Sequence, residues 1–153
     1  MPDCINKLIY GDVVNIRNPG AVRPWQHVLD PLAGYLLLGK KLAEEPDAFS
    51  SSWNFGPSER SCVPVIELVK KVCRFWGGGD FKIAHDSTAP HEESLLALDT
   101  TKSSFYLGWK PLLDFDIAVK ETVYWYKGVA GGADPVAITI DQIERLTDIV
   151  ENR

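Results

Sequence analysis

Apolar and polar positions follow two rhythms along this chain, a helical one and a short, strand-like one, and the two take turns. Residues 5–9 read as the end of a helix that stops near Gly11, and the Val13-Val14-Asn15-Ile16-Arg17 run after it has strand chemistry. Pro19-Gly20 turns the chain. Asp30-Pro31 predicts a helix start, because aspartate accepts from free amides at a cap and proline is tolerated in the first turn. Residues 32–39 behind it are apolar on nearly every side, so that helix needs cover on more than one face. Trp53-Asn54-Phe55-Gly56-Pro57 predicts a short strand ending in a turn, and residues 65–76 an amphipathic helix closed by Gly77.

Further strands are expected at 81–84 and 94–98. Asp99 is expected to cap a helix running to Leu107 and ended by Gly108, and Asp114 or Asp116 to start another that carries Ile117, Val123, Trp125 and Tyr126. After a flexible link over 128–134, Thr139-Ile140-Asp141-Gln142 has the form of a capping box, leading a helix with Ile143, Leu146 and Val150 on one face. Alternating strands and helices make the fold class α/β.

With 153 residues, 45% of them hydrophobic, the chain suits one domain with a real core and is too short for two ordinary ones. Sixteen basic against twenty-one acidic residues give a net charge of -5 with no basic run, so a nucleic-acid partner is not expected. Any phosphate must be held locally. Cys4, Cys62 and Cys73 lack metal-ligand spacing and read as reduced structural thiols. Neither a secretory leader nor a membrane-length apolar run is seen, which places the expected site of action in the cytoplasm.

The candidate chemistry is concentrated in residues 16–28. Arg17, Asn18, Arg23, Trp25 and His27 crowd a turn-broken segment that runs into a helix, so guanidinium groups stand beside an indole. Such a set can grip a phosphate and offer a flat face to a ring. Arg17 and Arg23 read as ligand contacts, with solvated surface charge as the alternative. Trp25 suits a ligand ring or the core equally well. His27 has no catalytic partner within sequence reach and suits a structural hydrogen bond. Asn54 could bond a ligand or loop backbone, and His91-Glu92-Glu93 forms a second polar cluster that is equally a solvated loop. Asp3, Asp30, Asp99 and Asp114 have capping or turn explanations. Gly77-Gly78-Gly79 follows a helix, so it reads as a helix stop and not as the phosphate turn of a dinucleotide fold.

Arg23-Pro24-Trp25-Gln26-His27-Val28-Leu29-Asp30 resembles the Arg-x-aromatic-x-[His/Tyr]-Val-x-Asp segment of the extended short-chain dehydrogenase/reductases. Ile16 to Pro19 with Arg23 to Val28 narrows the resemblance to their CDP-glucose 4,6-dehydratases. Trp53-Asn54-Phe55-Gly56-Pro57, Pro90-His91-Glu92, Leu98-Asp99, Leu107-Gly108-Trp109-Lys110-Pro111, Thr122-Val123 with Trp125-Tyr126, and Gln142-Ile143 continue it in order. The matched portion is the carboxy-terminal one, so residues 1–153 are expected to form a nucleotide-sugar-binding portion with an incomplete Rossmann-type sheet, the amino-terminal NAD-binding domain lying outside them.

The resemblance implies a lyase of deoxysugar biosynthesis. NAD oxidises the C4 hydroxyl of CDP-glucose, water leaves across C5 and C6, and the hydride returns to C6. It implies that Arg23 meets the pyrophosphate, with Arg17, Asn18, Trp25, His27, Asn54 and His91 along the substrate pocket. A second phosphate arginine of relatives aligns with Ala89, so His91 is expected to take over part of that role. Catalysis in the family uses a Tyr-x-x-x-Lys pair on a helix. Neither Tyr35 with Lys40, five apart, nor the adjacent Tyr126-Lys127 supplies it. No catalytic, cofactor or metal residue is therefore assigned, NAD is not expected to bind these residues alone, and the chain is expected to be inactive by itself.

The helix over 32–38 and the strand at 53–55 would be covered by the NAD-binding half. An exposed apolar patch, an open sheet edge and self-association are expected, with a homo-oligomer of the parent enzyme among the partners considered. Two other readings stay open, a non-catalytic nucleotide-sugar-binding module or gene remnant, and part of an epimerase or dehydratase for another nucleotide sugar.

Overall fold

In the computed structural model, which describes residues 1–84 and 93–151, the chain opens with helix α1, Pro2–Ile9, and turns through Tyr10 and Gly11 into strand β1, Val14–Ile16. β1 buries Val14 and Ile16 and leaves Asn15 exposed, the alternation a half-buried strand requires. Strand β2, Val22–Pro24, precedes helix α2, Leu29–Glu44, and the single turn α3, Pro46–Phe49. A 3-10 turn at Glu59–Ser61 leads to strand β3, Cys62–Pro64, helix α4, Val65–Trp76, and strand β4, Phe81–Ile83. Helices α5, Thr101–Leu107, α6, Phe115–Ala130, and α7, Pro135–Glu151, follow.

β1 and β4 pair in parallel, Val14 opposite Phe81 and Ile16 opposite Ile83, while β2 and β3 pair antiparallel, Val22 opposite Pro64. The parallel pair needs a long crossover, and α4 lies in it. The class is mixed α/β, with the small parallel sheet expected of a partial Rossmann-type fragment.

α4 carries the main core. Its Leu68, Val69, Val72 and Cys73 meet Val119 and Val123 of α6 and Ile5 of α1 in one buried cluster. Lys71 pairs with Asp116, and Lys127 Nζ donates to the Trp76 carbonyl at 2.6 Å, so polar ties flank the α4–α6 contact. Gly77 ends α4 at φ 95°, a left-handed value that favours glycine, and its amide and that of Gly78 return to the Cys73 carbonyl. The three cysteines are free thiols, and burial pushes each above its ordinary range, as suits reduced structural residues.

A second cluster forms around Phe55, which meets Trp109 edge to face at 5.1 Å and Tyr35 at 5.3 Å between ring centroids. Gly34 permits this. A Cβ there would lie 2.3 Å from the Phe55 ring, so the small residue in the apolar helix marks a close approach.

Several elements depart from the sequence reading. The 53–57 stretch is irregular, and 94–98 makes only a single parallel bridge, Leu95 to Val22. The 94–98 segment meets β2 only at Val22, too short a contact to extend into a ladder. Residues 22–24, read as loop, do form a strand, because β3 supplies that neighbour.

Asp30 does not cap α2, which begins at Leu29 with no side-chain cap. It is buried, and its Oδ1 accepts from the Leu112 amide at 2.8 Å and its Oδ2 from that of Leu113 at 3.4 Å. Asp114 caps α6 as expected, accepting from the Ile117 amide at 2.9 Å, whereas Asp99 accepts from the Thr101 amide at 2.8 Å from the position before Thr100, the N-cap of α5.

α6 runs to Ala130, through half of the expected link, and α7 begins at Pro135. Thr139 and Gln142 therefore lie inside α7 and form no capping box. Gln142 is buried and donates to the Glu121 carbonyl at 2.8 Å, while Ile143 stands exposed, so the inward face is Ile138, Gln142 and Leu146.

Candidate functional site

β1 and β2 aim the 16–28 segment at α1 and α4, and the result is a cleft of about 560 Å³. Arg17, Asn18, Arg23 and Trp25 line it together, so four of the residues singled out in the sequence share one wall. The far side comes from α1, with Asp3, Asn6 and Lys7, and from Val65 and Leu68 of α4. Among the described residues Arg17 makes no hydrogen bond or ion pair within the chain, and its side chain is exposed to the cleft. Arg23 is held, its Nη1 donating to the carbonyls of Val22 and Glu93, both at 2.9 Å.

Two backbone ties frame this wall. The Ala84 amide bonds the Ile16 carbonyl at 2.8 Å, and the Val22 amide bonds the Ser94 carbonyl at 2.8 Å. The arginines thus sit between two segments stitched to the strands that carry them.

Trp25 answers both of its sequence readings. Its Nε1 donates to the Val63 carbonyl at 2.9 Å and its ring packs on the core, yet it also lines the cleft. On its other side lies a second, mainly apolar cleft of about 490 Å³, where His27, Leu68, Val119, Trp125 and Tyr126 meet. Gln26 lines this one, and its Nε2 is buried with no acceptor among the described residues.

The remaining candidates are not brought to the first cleft. His27 is buried, and its Nδ1 accepts from the Leu29 amide at 3.4 Å, the structural bond expected. Burial pushes its imidazole below the ordinary 6.5, against the opposing pull of Glu121. Glu121 and Arg145 line the small cavity beside the ring. The neutral form is therefore favoured in the folded chain, and stability is expected to fall as pH drops below about 6.5, levelling off below the folded-state value. In urea titrations between pH 7.5 and 5, His27→Gln should flatten this slope; an unchanged slope would place the titration elsewhere.

Asn54 Nδ2 donates to the Asp99 carbonyl at 3.1 Å, so it organises the loop before α5. His91 lies outside the described residues. The sequence reading missed Asn15, Asp3 and Asn6, which line the first cleft. The outward phase of β1 was a usable signal for Asn15, which shares the Arg17 face.

Tyr106 and Lys110 do have the Tyr-x-x-x-Lys spacing. It straddles the end of α5 at Gly108, whose φ is 66°, so the two side chains do not share a helix turn, and Tyr106 stacks edge-on with Trp53 and Phe105 instead. Among the described residues no His, Cys, Asp and Glu group could hold a metal ion, and no helix is long and apolar enough to cross a membrane.

A mixed α/β chain with a short parallel pair is consistent with a partial Rossmann-type fragment. No family model matches the chain. Over 134 residues, 88% of the chain, it is 36% identical to CDP-glucose 4,6-dehydratase of Salmonella typhimurium strain LT2, of which it covers 37%. Over 126 residues, 82% of the chain, it is 29% identical to dTDP-glucose 4,6-dehydratase of an Actinoplanes species, covering 35% of that protein. The chain spans little more than a third of the length of these relatives. Its resemblance to the carboxy-terminal portion of the nucleotide-sugar 4,6-dehydratases is thereby borne out.

Proposed function

We propose that this chain is the substrate-binding portion of a CDP-glucose 4,6-dehydratase acting in the cytoplasm, in which the first cleft holds the nucleoside diphosphate of the sugar nucleotide. The observation that carries the reading is the convergence of Arg17, Asn18, Arg23 and Trp25 on that one cleft. A diphosphate presents several anionic oxygens, which match the forked donors of guanidinium groups better than point charges. Two such groups, from the bend after β1 and from β2, beside a fixed indole, give the cleft a charged part and a flat part.

NAD in the complete enzyme would oxidise the sugar at C4 and return the hydride at C6 after water has left. The glycine run at 77–79 does not fit that cofactor. It stands at the C-terminal, negative end of α4, and the amides of Gly77 and Gly78 are already bonded to Cys73 and Arg74 carbonyls. A dinucleotide pyrophosphate is held at a positive helix start by free amides. The contribution of this chain is accordingly to bind and orient the nucleotide sugar, and redox and acid/base groups come from the NAD-binding portion that the relatives' extra length accommodates.

The same reading accounts for α2. Leu32, Tyr35 and Leu36 stand exposed on it, Leu36 to 78%, a surface suited to contact with that other portion. Left open, it favours self-association. Leu36→Lys should shift the chain toward monomer in sedimentation velocity without lowering its melting temperature, Leu36 being 78% exposed; unchanged association would move the contact elsewhere.

Calorimetric titration with CDP tests the assignment. Micromolar to millimolar binding that weakens when Arg17 or Arg23 is replaced supports it, whereas affinity indifferent to both arginines refutes it.

A further inference from the structure

The first cleft carries two kinds of polar group. Arg17 and Arg23 supply cations, whereas Asp3 and Asn6 of α1 and Asn15 of β1 bring a carboxylate and two carboxamides to the same cavity. Among the described residues none of these three side chains bonds within the chain. The first-turn position of Asp3 is favourable to a carboxylate through the helix dipole alone. The dipole does not account for two unengaged carboxamides beside it, in a cavity of the size that takes a small ligand.

Resting on the reading of this cleft as a nucleoside diphosphate site, we propose that Asp3, with Asn15, selects an amino pyrimidine over a keto pyrimidine. With the diphosphate on the arginines, the base is left to the carboxylate and carboxamides. The 4-amino group of cytosine donates to the Asp3 carboxylate, and its N3 and O2 accept from the Asn15 amide. Uracil and thymine present O4, an acceptor, where cytosine presents the amine. Two acceptors then oppose each other, so rejection of the wrong base arises from repulsion as well as from a lost bond.

Asn15 in β1 and Arg17 in the bend just after it both line the cleft, so base and phosphate contacts come from neighbouring positions of one segment. This gives β1 a role in register as well as in charge. A shift of one residue would turn Val14 and Ile16 toward the ligand and bury the polar pair.

Titrations of CDP and UDP into the chain, into Asp3→Asn and into Asn15→Ala test the assignment, with melting temperature read in parallel. The unaltered chain is expected to prefer CDP by about tenfold, the scale of one well-formed base contact. Asparagine can turn its amide either way, so Asp3→Asn should bring the two nucleotides to within about threefold, chiefly by improving UDP. Asn15→Ala should weaken CDP more than UDP. A preference that survives Asp3→Asn, or equal binding of both nucleotides by the unaltered chain, overturns the base-reading role and leaves the diphosphate site standing. Binding of neither nucleotide at millimolar concentration overturns the diphosphate site and this selection with it. A change in melting temperature without a change in base preference assigns Asp3 to the helix dipole alone and overturns the proposal.

Discussion

Asp30→Ala is expected to lower the unfolding free energy by about 4 kcal/mol, since each hydrogen bond from a buried amide to a charged acceptor contributes roughly 1.5–3 kcal/mol. The carboxylate spans two elements far apart in sequence, joining the first turn of α2 to the amides of Leu112 and Leu113 just before α6. Removing it leaves both amides without that acceptor in a region where Asp30 is only 2% exposed and Leu113 only 5%. Water cannot readily replace it. Asp30→Asn keeps the shape and one acceptor oxygen, so it should retain the shorter bond to Leu112 and lose about half as much. An ordinary helix cap at this position would be worth only about 1 kcal/mol, so urea denaturation separates the two roles directly. A loss near the capping value for alanine would return Asp30 to the role its sequence context suggested. The near-ultraviolet signal of Trp109, buried just upstream of the anchored amides, should weaken in parallel.

That contrast shows where sequence reading reaches its limit. Asp30-Pro31 carries a local signal for a helix start, and the helix does start there, but the side chain is bonded to amides more than eighty positions away. Local chemistry cannot reveal a partner that tertiary structure supplies. The same holds for Thr139 and Gln142. Their spacing fits a capping box, yet Asp134 accepts from the Val136 amide at 3.0 Å one turn earlier and starts the helix there. Thr139 Oγ1 instead receives the Trp125 indole at 2.9 Å, and Gln142 joins α7 to α6.

Where an element is long and its signals agree, the reading holds, for α4 at both ends and for α6 at its start. α4 has both an apolar stripe and a glycine stop, and α6 has the Asp114 cap, so periodicity and end chemistry point the same way. Strands of three residues have no such redundancy. Whether 22–24, 53–55 or 94–98 becomes a strand depends on what lies beside it, which no local pattern contains. For the cleft, the residue types were legible because arginine, asparagine and tryptophan are uncommon together in a turn. Their grouping held for Arg17, Asn18, Arg23 and Trp25. It failed for Asn54, which bonds the Asp99 carbonyl in the loop before α5, and for His27, which the start of α2 carries to the other side of the indole.

Arg17→Ala should weaken CDP binding about tenfold, or roughly 1.4 kcal/mol, while leaving the melting temperature unchanged. Its guanidinium is engaged with no other described residue, so truncation removes a ligand contact and little else. Arg23→Ala should weaken binding further, by on the order of a hundredfold, because a half-buried cation is screened less than an exposed one. It should also lower stability, since the Val22 and Glu93 carbonyls lose the donor that joins β2 to the distant segment before α5. Arg23→Lys is the informative control. A lysine keeps the charge but cannot fork between two carbonyls and a phosphate, so it should recover only a small part of both losses. Raising salt from 50 to 500 mM should weaken CDP binding of the unaltered chain more than that of Arg17→Ala, the expected signature of an exposed charge contact. If alanine at either position leaves CDP affinity and its salt dependence as they were, the cleft that these arginines line is not where a diphosphate binds.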